Sequence, residues 1–214
     1  MTPADLLSSI NSATSLRQFV EEHLLTRIPW IFQNDTLLYS GWRADVARAA
    51  GVNANAIYLV GSAATGYSLS PTHPGRAFRP VTSASVRPSD IDIAIVDSKL
   101  FELAWNTVIK FDRRGGLSRL IRETYGYDPE RINSDLSEMR RNVYWGAISH
   151  AYAVSGTQFA QVLLLLFAAT TRSKPFVGHP PKARIYRRRE DLVSYHEQSL
   201  QVTKENLIRR SVYL

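Results

Sequence analysis

Two acidic residues interrupt a run that otherwise belongs in a protein interior. Asp90 and Asp92 alternate with Ile91, Ile93 and Ile95 in the segment SDIDIAIV. Side chains along a strand point alternately to opposite faces, so the two carboxylates share a face with Cα atoms about 6–7 Å apart. Side by side at a strand end they repel each other and resist losing water. Mg²⁺, a hard cation that prefers oxygen ligands, would relieve both problems, which makes Asp90 and Asp92 the candidate catalytic and metal-binding pair. The competing reading is a strand end whose acids face solvent or pair with arginine.

A second element precedes the first. Gly61 and Ser62 close the apolar run Ile57–Val60, and Gly66 follows four residues later in GSAATG. Glycine removes the side chain that would block close approach of a phosphate, and the Ser62 hydroxyl adds a donor. The alternative is an ordinary tight turn. No Gly-Lys-Ser/Thr follows, so this is not a Walker-type phosphate loop, and the glycine spacing is not the dinucleotide-binding pattern.

Taken in order, IYLVGSAATG and SDIDIAIV resemble the DNA polymerase β-like nucleotidyltransferase superfamily over about residues 57–97. The resemblance implies an α/β (α+β) fold in which a nucleotidyltransferase-like mixed sheet is flanked by helices. It implies that Gly61 and Ser62 contact the triphosphate of a nucleoside triphosphate and that Asp90 and Asp92 hold Mg²⁺. Gly66 and Ser89, which belong to the same two motifs, are candidate nucleotide-binding residues. Minimal antitoxin-like members and the cyclic-oligonucleotide synthases of phage defence are similar in style. The implied activity is transfer of a nucleoside monophosphate to a hydroxyl of RNA, a nucleotide or a protein. The competing class is a catalytically degenerate module of the same fold that binds nucleic acid or a protein partner in a toxin–antitoxin or phage-defence system.

Two departures from the superfamily pattern matter. Ser62 and Asp90 are separated by 27 residues, longer than is usual there, and the insert carries Arg76, Arg79 and Arg87. It reads either as a lid over phosphates or as a surface insertion, since loop length costs little thermodynamically. The third carboxylate of the superfamily has no clear counterpart. Asp112 in VIKFDRR is the nearest candidate if residues 108–111 are extended, although the preceding helix could equally continue through them. The strand-like ARIYR offers Arg184 where an acid would be wanted. Arg184 and Arg187 are candidates to neutralise a triphosphate or an RNA acceptor.

With 214 residues, 44% of them apolar, the chain has enough material for a core. The expected organisation is one domain over residues 1–214, with a helical N-terminal segment 1–50 and a basic C-terminal segment 172–214. That last segment holds 10 Lys or Arg against 4 Asp or Glu, a net +6 of the chain's +7. The run Arg187-Arg188-Arg189 suits phosphate groups, or an acidic partner, or simply a solvated helix face. Zero cysteines exclude a disulfide framework, thiolate zinc sites and a cysteine nucleophile. The apolar run from Val162 to Ala169 is too short to cross a membrane, so no membrane partner and a cytoplasmic location are the default expectations.

The elements that must position these residues follow from pattern. Thr2 and Ser15 can cap helices, with Pro3 at the first position of one. Asp35 to Ala50 predicts a longer helix with Leu37, Leu38, Trp42, Val46 and Ala50 on one stripe, stopped by Gly51. Strands are expected at 57–60, 91–96 and 183–187. Tyr67 to Pro88 contains four prolines, three arginines and no acid, which predicts a long loop. Asp97 and Ser98 open a helix through Trp105, a further helix is expected from Leu117 to about Tyr125, and the chain ends in a helix containing Leu192, Tyr195, Leu200 and Leu207. Residues 157–169 are open between helix and strand. The four tryptophans are expected in the core, the five histidines at the surface or hydrogen-bonded, and Arg140-Arg141 with Tyr144 and Trp145 form either a base clamp or an exposed helix edge.

Overall fold

The computed structural model describes residues 2–81, 87–113, 115–117, 119, 129–172 and 174–212. Thr2 caps α1 (Pro3–Ser12): its hydroxyl accepts from the Asp5 N–H while the Asp5 carboxylate accepts from the Thr2 N–H. Ser15 caps α2 (Leu16–Val20), which continues into a π-helical turn at Glu21–Thr26. Asp35 caps α3 (Thr36–Ala50), and Gly51 ends it in the left-handed conformation. Then follow β1 (Ile57–Val60), the short α4 (Ser62–Thr65), β2 (Ile91–Val96) and α5 (Ser98–Asp112), the last capped by Asp97. The remainder comprises α6 (Pro129–Tyr144), β3 (Ala147–Ser149), α7 (Gln158–Thr171), β4 (Pro181–Tyr186) and α8 (Arg189–Val212).

The four strands form one mixed sheet in the order β1-β2-β4-β3. β1 runs antiparallel to β2, β2 parallel to β4, and β4 antiparallel to β3. The fold is therefore α+β with a mixed sheet flanked by helices, as the sequence implies. Strand alternation sorts the residues into two faces. Ile57, Leu59, Ile91, Ile93, Ile95, Ala183 and Ile185 enter the main core beneath α3, α5 and α7, through Trp42, Val46, Phe101 and Leu163. The opposite face presents Val60, Ala94 and Tyr186 to Leu192 and Tyr195 of α8.

α8 sets the geometry of that second face. It starts just after β4 and runs back over the sheet toward the ends that carry Asp90, Asp92 and Lys182. The Arg184 guanidinium lies 4.2 Å over the Tyr195 ring. Further along, the Thr203 hydroxyl donates to the Leu69 carbonyl at 2.9 Å, and the Asn206 amide donates to the Pro71 carbonyl at 3.3 Å. The outer side of α8 is covered in turn by Leu6, Ile10, Phe19 and Val20 of the N-terminal helices, against Val193 and Leu200. An Arg189–Glu21 ion pair joins the same layers. Both terminal segments are thus packed through α8.

Several expectations need correction. Leu37 is 84% and Leu38 42% exposed, so the stripe of α3 narrows to Trp42, Val46, Ala47 and Ala50. The segment left open at 157–169 is helical from Gln158 with Thr157 as its cap, and the last strand is Pro181–Tyr186 rather than 183–187. The segment 129–149, of which only the stretch around Arg140-Arg141 reads as a helix edge, forms α6 and β3, and Arg140, Arg141 and Tyr144 are exposed on α6. Trp42 is buried as expected, but Trp30 is 49% exposed. The helix expected from Leu117 to Tyr125 falls largely outside the described residues. No helix among the described residues is long and apolar enough to cross a membrane.

The packing makes a direct prediction. Ile93 is 1% exposed at the centre of β2. Ile93→Ala should lower unfolding free energy by about 3 kcal/mol in urea titration, whereas Leu37→Ala should stay within about 0.5 kcal/mol. Equal effects of the two would contradict the assigned faces.

Candidate active site

Asp92 lies on β2 opposite Val60 of β1 and Lys182 of β4, and Gly61 follows directly on Val60. The antiparallel pairing therefore brings the Gly-Ser turn over the acid-bearing end of β2. Contact is close: a Cβ built on Gly61 would stand 2.6 Å from Asp92 Oδ2. Gly61 also has φ +68° and ψ −152°, a conformation essentially restricted to glycine. Two independent constraints thus require glycine where the sequence motif has it.

Gly61, Ser62, Asp90, Asp92 and Lys182 line one cavity of 560 Å³. Arg76, Arg79 and Arg87 of the long loop line it too, together with Ser89, so the insert is built into the site. The loop is anchored by a short ladder: the Ser89 N–H donates to the Arg79 carbonyl, and the Arg79 N–H donates to the Ser89 hydroxyl, both at 3.0 Å. His179, 4% exposed, places Nδ1 2.7 Å from the Ser89 carbonyl. Tyr195, His196 and Ser199 of α8 close the remaining side.

Cationic side chains surround the acid pair. Lys182 Nζ is 2.6 Å from Asp90 Oδ2, and an Arg87 nitrogen is 3.7 Å from Asp90 Oδ1. Asp90 Oδ1 is buried without a hydrogen-bond partner, as is Arg79 Nε. Burial pushes the Asp92 carboxyl above the usual carboxylate range; Lys182 opposes this and the neighbouring Asp90 adds to it. Burial, reinforced by Arg184, pushes His196 down to about 3, so its ring is neutral. The cavity walls carry four cationic side chains against two carboxylates, a surplus that suits a polyanion.

Other predicted residues are placed differently. Gly66 ends α4 with its backbone N–H donating to the Ser62 carbonyl, and a Cβ there would meet the Trp30 ring at 3.2 Å. It shapes the turn and is not part of the cavity wall. Arg184 sits one alternation further along β4 beneath Tyr195 and acts on Asp92 through its charge. Asp112 ends α5 because that helix continues through 108–111, and it borders a separate groove of 1540 Å³. Arg187 borders the same groove and is ion-paired with Asp191 at 3.1 Å. Arg140, Tyr144 and Trp145 line that groove as well, away from the acid pair. Asp112 and Arg187 are therefore corrected: neither joins Asp90 and Asp92.

No group of three His, Cys, Asp or Glu able to hold a metal is present among the described residues. The position beside Asp92 that would complete such a group is filled by Lys182, not by Arg184 as the alternation of ARIYR suggested. What fits a metal is narrower: two carboxylates facing one cavity, one bearing an orphaned buried oxygen. In the sequence Lys182 stands only as one of the phosphate-suited cations of the basic C-terminal segment, and no signal marks Tyr195, His196 and Ser199 as site residues, since only pairing across the sheet and the path of α8 bring them to the cavity.

Two measurements probe this geometry. Gly61→Ala should cost about 2 kcal/mol of stability, and part of that loss should vanish in an Asp92→Ala background, where only the backbone strain remains. For His196 the sign follows from linkage: the folded value lies below the ordinary 6.5, so the unfolded chain takes up the proton first. Stability should fall as pH drops from about 6.5 toward 3, by up to about 1.4 kcal/mol per pH unit for this group. Urea titrations of His196→Leu should give a flatter fall than wild type, and parallel profiles would refute the buried neutral ring.

Compared with known proteins, the chain matches no family model, no curated protein and no solved structure.

Proposed function

We propose that the chain is a Mg²⁺-dependent nucleotidyltransferase that transfers a nucleoside monophosphate from a nucleoside triphosphate to a hydroxyl. The observation carrying this reading is the contact between the Gly61 turn and Asp92 at the base of an arginine-lined cavity. The likeness of IYLVGSAATG and SDIDIAIV to the DNA polymerase β-like superfamily supports it, as does a mixed sheet that places both motifs at one end.

In this reading Asp90 and Asp92 hold the metal. When bound, Mg²⁺ would supply charge neutralisation at the α-phosphate and at the departing pyrophosphate. Gly61 leaves room for phosphate oxygens beside Asp92, and Ser62 offers a hydroxyl donor. Arg76, Arg79 and Arg87 compensate the outer phosphates from the loop side, which gives the long insert its role. The acceptor hydroxyl gives up its proton to solvent while its oxygen bonds to the α-phosphorus, the α–β bridging P–O bond breaks, and pyrophosphate leaves with that bond's electron pair. RNA, a nucleotide or a protein hydroxyl would each satisfy that chemistry.

One observation favours a second reading. Lys182 already compensates Asp90, as it would in a degenerate module of the same fold that binds nucleic acid or a protein partner in a toxin–antitoxin or phage-defence setting. Labelled nucleoside triphosphate with an RNA pool and Mg²⁺ separates the two. Wild type should transfer label, and Asp90→Ala with Asp92→Ala should reduce transfer at least about a hundredfold. Unchanged transfer in the double variant would end the enzymatic assignment. Metal-independent nucleic-acid binding with a steep salt dependence, without transfer, would select the module.

A further inference from the structure

We infer that Lys182 is a built-in counter-cation that keeps the Asp90–Asp92 pair from taking up a free divalent ion, so that metal enters together with a nucleotide polyphosphate. The inference rests on the proposed metal-holding role of the pair and adds how that pair is regulated.

Three placements carry it. Lys182 is in register with Asp92 on the adjacent parallel strand, so its side chain leaves the sheet on the face of the acids. Its Nζ is 2.6 Å from Asp90 Oδ2, closer than the Arg87 nitrogen at 3.7 Å. The lysine is 46% exposed along its side chain, so it can move into the cavity without leaving solvent. Asp90, Asp92 and Lys182 together carry −1, which lets the folded chain hold two neighbouring carboxylates without metal.

The same arrangement resists a free cation. A divalent ion on Asp90 would sit within a few ångströms of an ammonium, and the trio would become +1 beside three arginines. A polyphosphate reverses the balance. Its negative charge offsets the surplus, and its oxygens offer Lys182 a new partner when the carboxylate is surrendered. The ion-pair switch is thus coupled to the anion, and the affinities for metal and polyphosphate are reciprocally linked.

Mn²⁺ is the probe, followed by the electron paramagnetic resonance signal of the free ion, with and without ATP, and protein-bound metal is taken as the loss beyond that given by the same ATP without protein. Wild type should bind Mn²⁺ weakly alone and at least about tenfold more tightly with ATP. Lys182→Met and Lys182→Gln should each bind Mn²⁺ alone at least about tenfold more tightly than wild type. Lys182→Arg should stay near wild type, and Asp90→Asn should abolish the gain from Lys182→Met. Thermal melts identify which variants are folded. If both neutral variants bind no more tightly than wild type while Asp92→Asn still weakens binding with ATP, the counter-cation role is overturned and the metal site stands. If Asp90→Asn and Asp92→Asn leave Mn²⁺ binding unchanged with ATP, the metal site fails and the inference with it.

Discussion

Two carboxylates drawn out of water at the end of an apolar strand must be compensated, and much of this molecule is arranged around that requirement. Desolvation opposes the ionised form of Asp92, and Asp90 beside it makes matters worse. The chain answers with positive charge from three directions: Lys182 from the neighbouring strand, Arg87 from the loop, and Arg184 from beneath α8. A purely structural strand end would be cheaper as Ser or Thr. Retaining two acids where burial penalises them is the kind of local conflict that marks functional sites.

The surrounding fold holds that conflict in place. The isoleucines alternating with the acids anchor β2 in the main core, so the strand cannot slip by one residue without exchanging its faces. Gly61 closes over Asp92, where a Cβ would force the carboxylate to shift. The long loop is pinned by the Arg79–Ser89 ladder at one end and by Thr203 and Asn206 of α8 at the other. These ties make the loop a wall of the cavity.

Local features were legible in the sequence because local physics produces them. Alternation around Ile91, Ile93 and Ile95 gives β2 its span, and Thr2, Ser15, Asp35 and Asp97 cap the helices that follow them, as their residue types predict. Misreadings arose where the deciding partner is distant in sequence. The place of Lys182 beside Asp92 depends on how β2 and β4 pair across 90 residues of chain, and alternation within ARIYR alone favoured Arg184. Asp112 could be either helix or strand until α5 was seen to continue through it. α6 shows in the sequence only as a helix edge at Arg140-Arg141, because PERINSDLSEMRRNVY is strongly polar; among its described side chains Leu136, Met139 and Asn142 are buried.

The path of α8 has a consequence for biogenesis. Tyr195, His196 and Ser199 close the cavity, while Thr203 and Asn206 tether its loop, so a nascent chain lacks a finished pocket until residues 195–206 have cleared the ribosome. Until then the first two helices also lack the surface they pack against. α1 and α2 therefore find their packing partners Val193 and Leu200 only once the last long helix has been made, so a chain stopped before α8 has neither a closed pocket nor a covered N-terminal layer.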